Sequence, residues 1–101
     1  MAGLKDTREI VRDELLPLLD ELCRLADEGG ERAQLAFFDR IRGALRAVRE
    51  PDDMAGPFME LSTSAFRGFA FGFEVSLVLD RALEVAQGLS MALSASSEEM
   101  Q

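Results

Sequence analysis

The residues best equipped to do chemistry are arginines. Arg32, Arg42, Arg46 and Arg49 share one arc of a helical wheel with Glu31 and Asp39. A guanidinium holds a carboxylate or phosphate through two parallel N–H bonds, so this stripe is a candidate contact for an anion or an acidic partner. The competing reading is a solvated face, paired locally at i to i+4 spacing. Cys23 is the single cysteine and the sequence has no histidine. A lone thiol without an imidazole has no base to activate it, and small cysteines of this kind pack as apolar groups. Histidine-based triads and zinc sites are excluded, and no intrachain disulfide can form. Asp13-Glu14, Asp20-Glu21, Asp27-Glu28 and Asp52-Asp53 are adjacent acid pairs. Neighbours on a helix diverge by about 100°, and none of the pairs has calcium-loop spacing, so they read as solvated helix surface. The Glu-x-x-His motif of carboxylate metal bundles is missing, and Gly29-Gly30 lacks the Lys-Ser or Lys-Thr of a phosphate loop. The expectation is a protein with no catalytic residue, no cofactor and no metal.

Two further groups of residues are candidates for binding. Phe66, Phe69, Phe71 and Phe73 place four of the seven phenylalanines within eight residues. Phenylalanine supplies area and shape without a polar handle, so the segment is core, a self-association surface, or a pocket for a ligand or partner helix. Ala33, Ala36, Gly43, Ala44 and Ala47 form a face of small residues, which lets another helix approach closely. A second helix of the same chain is the default occupant and a dimer partner the alternative. On either reading Gly43→Leu disrupts packing.

These side chains need helices to position them. From Gly3 to Glu28, Leu4, Val11, Leu15, Leu18, Leu19, Leu22, Leu25 and Ala26 gather into about 120° of the wheel, opposite Asp6, Glu9, Asp13, Asp20 and Asp27. Pro17 predicts a kink there, or two helices meeting at Leu16. Gly29-Gly30 turns the chain. A second helix over Glu31 to Arg49 unites Phe37, Phe38, Ile41, Ala44, Leu45 and Val48, and stops before Pro51. Asp52 to Gly56 is expected as a turn, with Pro57 in the first turn of a short helix carrying Phe58, Met59 and Leu61. From Glu74 to Leu93 the apolar residues fill nearly half the wheel, the clearest helix in the chain. A straight continuation back to Ser64 would put Phe66, Phe69 and Phe73 on its polar side, so a break is expected near Gly68 to Gly72, with one long helix as the runner-up.

The 101 residues carry a formal charge of −8, with 48% apolar residues, which fits one small globular domain. Residues 32–49 sum to +4 while the flanking segments are acidic, so the second helix is a basic element among acidic ones. An acidic chain repels phosphates, which argues against direct nucleic acid binding or an anionic membrane surface. The N-terminus lacks the apolar stretch of a secretory signal and no apolar run is long enough for a membrane span, so a cytoplasmic protein is expected. A domain this small buries roughly 65% of its unfolded surface, so association is a natural supplement to its stability.

The resulting expectation is an all-α fold: a small antiparallel bundle of three to four helices, dimeric, with residues 1–93 as a single helical domain and 94–101 as a frayed Ser/Glu-rich tail. The functional expectation is a non-enzymatic protein–protein interaction module, an adaptor or regulatory subunit that associates with itself or another protein. The alternatives are an acidic antagonist of a basic partner, as an antitoxin or nucleic-acid mimic would be, and a small apolar ligand carrier.

Overall fold

The computed structural model describes residues 7–64 and 68–99. Residues 3–6 of the expected first helix, together with Phe66, Met100 and Gln101, lie outside the described residues. The chain is all-α. Helix α1 (Thr7–Ile10) runs through a π-helical turn (Val11–Leu15) into α2 (Leu16–Glu28), followed by α3 (Arg32–Arg46), a 3-10 turn (Pro51–Met54), α4 (Ala55–Ser62) and α5 (Phe73–Glu99). No helix among the described residues is long and apolar enough to cross a membrane.

Pro17 explains the π turn. Proline has no N–H for the carbonyl of Asp13, and a regular helix would carry that gap in mid-rod. The chain widens by one residue instead: the N–H of Leu16 reaches back to the carbonyl of Val11. The rod therefore passes through the proline as a bulge, and α2 begins at Leu16, where the sequence placed a junction.

The turn from α2 to α3 is a Schellman motif. The N–H of Glu31 donates to the carbonyl of Ala26 at 2.9 Å and that of Gly30 to Asp27 at 3.1 Å. Gly30 takes φ +71°, a conformation that a side chain would strain. Helix α3 consequently folds back along α2, and Leu19, Leu22 and Cys23 pack with Phe37, Phe38, Ile41 and Leu45 in a common core.

Between α3 and α4 the sequence reading needs correction. Residues 52–56 are not a simple turn: a 3-10 turn starts at Pro51 and leads directly into α4 at Ala55. The Asp53 carboxylate accepts the N–H groups of Arg49 and Glu50 at 3.3 and 3.2 Å, and the Asp53 N–H donates to the carbonyl of Glu50 at 3.0 Å. Donors that would otherwise be orphaned at a helix start are satisfied this way, so the ordered turn is entered at Pro51. Met54, Phe58 and Leu61 then close the core from this side. Helix α3 ends at Arg46, earlier than the expected Arg49, and α5 continues past Leu93 to Glu99.

The break before α5 is present. Gly68 has φ +76°, residues 69–72 have no regular structure, and α5 starts at Phe73. At a rise of about 1.5 Å per residue, the 27 residues of α5 span most of the molecule's 46 Å long axis. Leu79, Ala82, Ala86 and Leu89 are the side chains it buries among the described residues.

Candidate functional site

The arginine stripe is divided by the fold. Arg42 and Arg46 both reach across to Asp20 of α2, each with one nitrogen at 3.1 Å, and Arg42 also holds Asp39 at 2.6 Å. Donating to the Asp39 carboxylate holds the Arg42 guanidinium firmly protonated, above the ordinary arginine value. Arg32 is exposed beside the α2–α3 turn, and Arg49 lies beyond the end of α3, its carbonyl accepting a bond from Arg8 at 3.1 Å. The four residues therefore do not converge on one point.

The small-residue face is open. Ala33, Ala36, Gly43, Ala44 and Ala47 are all exposed, and a Cβ built on Gly43 would meet nothing within 4 Å. The expectation that another helix of the same chain covers this face is corrected: α3 buries the opposite side, carrying Phe37, Phe38, Ile41 and Leu45.

The described part of the phenylalanine segment splits two ways. Phe69 and Phe71 are half-buried against the core, with Phe69 edge-on to Phe37 at 5.5 Å and Phe71 tilted against Phe38 at 6.0 Å. Gln34, 4% exposed, fixes this loop by donating from Nε2 to the carbonyl of Ala70 at 3.2 Å. Phe73, at the start of α5, is 79% exposed. Phe69 and Phe71 share the core-facing loop while Phe73 already belongs to α5, a division that the one-dimensional spacing did not distinguish.

Cys23 is buried on α2, and desolvation raises its thiol pKa above the ordinary value. Burial therefore suppresses the thiolate that any nucleophilic role needs. Among the described residues no group of three or more His, Cys, Asp or Glu side chains is arranged to hold a metal ion.

A groove that the sequence reading did not single out lies between α4 and α5, with a volume of about 600 Å³. Phe58 and Ala86 form its buried floor, and Ala55, Met59, Ser62, Leu83, Gln87, Ser90 and Leu93 complete the lining. None of these side chains is charged, although 30% of the chain is. Met59 stands at the groove 69% exposed. Its sequence signal is modest but real: Phe58, Met59 and Leu61 are successive apolar residues on a short helix, and one core cannot take all of them. Helix α5 gives the same signal, since its half-wheel of apolar residues is wider than the core it meets. Leu83 and Leu93 are left half-buried at the groove.

The fold and this groove together define a small all-α bundle with an open, uncharged apolar face. No family model, no curated protein and no solved structure matches the chain.

Proposed function

We propose that this protein is a non-enzymatic helical interaction module that self-associates through the groove between α4 and α5. The observation that carries this reading is the pairing of an apolar hollow of about 600 Å³ with the protruding Met59 on the same face. An isologous dimer needs one surface that is complementary to itself, and a knob beside a hole meets that need when a second copy is turned through a two-fold axis. Methionine suits the role, because its unbranched thioether adapts to irregular hollows. Charge supports the same face. Two copies at −8 repel each other, so they approach at least cost where neither presents a charge. Added salt screens that repulsion and leaves apolar burial intact, so the dimer should hold or tighten as ionic strength rises.

Met59→Asp tests the reading, since it places a carboxylate in the apolar contact without touching the buried core. The expected product is a folded monomer whose circular dichroism melt at low protein concentration matches that of the unsubstituted protein. A variant that keeps the mass of a dimer would overturn the assignment of the interface to this groove.

A further inference from the structure

At the end of the bundle where the π turn meets the C-terminal end of α3, a second cleft of about 490 Å³ has the opposite character. Its floor is apolar: Val11, Leu45 and Met54 are buried, while Leu16 and Val48 are half-buried. Arg8, Arg12 and Arg46 surround that floor, with Glu9 as the one carboxylate lining it. Asp13 and Asp20 stand behind two of these guanidiniums as ion-pair partners and do not line the cleft, so the surface it presents carries Arg8, Arg12 and Arg46 beside Glu9. Arg8 and Arg12 are one helical turn apart, and Arg12 and Val11 both belong to the π turn that Pro17 imposes. Arg46 comes from the last turn of α3.

Arg12 and Arg46 are held but not saturated. Arg12 engages Asp13 through Nε at 3.0 Å, and Arg46 engages Asp20 through Nη2 at 3.1 Å. Each contact uses one nitrogen of a group with five N–H donors, so Arg12 and Arg46 keep donors for a further acceptor. Arg8 ties the two walls together by donating from Nη1 to the carbonyl of Arg49 at 3.1 Å.

We infer that this cleft binds a small amphipathic carboxylate, its apolar body on Leu16, Leu45 and Val48 and its head group on Arg12 and Arg46. The size, about 490 Å³, is that of a small-molecule site, which typically spans roughly 300–1,000 Å³. The floor selects against simple inorganic anions, which gain nothing from apolar surface. The rim selects against neutral apolar molecules, because guanidiniums add affinity only where an anion accepts from them. The site is separate from the groove between α4 and α5, so the inference stands independently of self-association.

Titration calorimetry with octanoate, 1-octanol and acetate tests this, with methyl NMR following Leu45 and Val48. Octanoate should saturate one site and shift those methyl resonances, with octanol and acetate at least tenfold weaker. The double variant Arg12→Gln/Arg46→Gln removes only exposed side chains and should lower octanoate affinity at least tenfold. Arg24→Gln, outside the cleft, should change nothing, and Met59→Asp should bind octanoate normally. Equal binding of octanol and octanoate, octanoate affinity indifferent to the double variant, or no saturation by octanoate would each overturn the inference.

Discussion

Along α2 and α3 no large apolar side chain is exposed, whereas α4 and α5 present Met59, Phe73, Leu77 and Met91 to solvent. The two halves also differ in how charge is used. Asp20 of α2 receives Arg42 and Arg46 of α3, and Arg24 pairs with Glu21 and Glu28 on its own helix, so the hairpin closes a core beneath a paired polar surface. The groove between α4 and α5 has no charge along it and is left open. The hairpin therefore leaves only small apolar residues of α3 uncovered, and the other half is built with large apolar side chains to spare. Loss of a hairpin core residue should cost stability, and loss of an exposed α4 or α5 residue should cost association.

The sharpest way to break that contrast is Phe38→Ala. Phe38 is fully buried, and its truncation removes a whole ring from the core. The expected loss is about 3–5 kcal/mol, a large part of the roughly 5–15 kcal/mol available to a small domain. Met91→Ala, at an exposed position, should stay within about 0.5 kcal/mol. Chemical denaturation of the two variants side by side measures the difference, and comparable losses would dissolve the contrast.

A smaller effect separates two phenylalanines of one segment. Phe69→Asp puts a charge against Phe37 and Phe71 and should destabilise by roughly 2–4 kcal/mol. Phe73→Asp, at 79% exposure, should leave the melting temperature nearly unchanged. Equal destabilisation would mean that Phe73 also serves the core.

Glycine substitutions give a gain of similar physical clarity. Gly43 and Gly88 lie inside α3 and α5, and a Cβ on either meets nothing within 4 Å. Gly43→Ala and Gly88→Ala should each stabilise by up to about 1 kcal/mol through helix propensity alone. Gly43→Leu should likewise be tolerated, the reverse of what the small-residue pattern implied. A lowered melt for one of them would show that its face is covered in solution.

The smallest effect concerns the Cys23 thiol. Its pKa is raised from the ordinary 9.0, chiefly by burial, so the folded state holds the proton more tightly than the unfolded state. That contribution to stability is present below about pH 9 and is lost as pH rises through the folded value. Native protein at pH 8 should react with a thiol reagent only at the rate at which it opens, and denaturant should release full reactivity. Immediate reaction of the native thiol would contradict its burial.

Much of this was legible in the residues. The α2 arc, the Gly29-Gly30 turn, the core face of α3 and the break at Gly68 each follow from periodicity or from the freedom of glycine. The remainder depended on choices that periodicity does not encode. Pro17 marked a disturbance, but the one-residue shift to a π turn is a backbone solution with no side-chain signature. Glu50-Pro51-Asp52-Asp53 looked like a stop followed by a turn because a proline can stop a helix or open one; α3 has already ended at Arg46, Pro51 opens the 3-10 turn, and Asp53 decides the matter. The groove between α4 and α5 was hidden for a different reason. A wheel shows that an apolar arc is wide, but not which part of it the neighbouring helices cover. Met59 and Leu83 line one groove only because α5 folds back onto α4 after the connection over residues 63–72.

Solution mass by light scattering on a sizing column, at two protein concentrations and at low and roughly 0.5 M salt, tests the central claim most directly, because high salt shrinks the screening length below about 5 Å. The account predicts a species of twice 11.1 kDa that persists or strengthens in salt. A monomer of 11.1 kDa under every condition, or a dimer that salt dissolves, would contradict self-association through an uncharged apolar face.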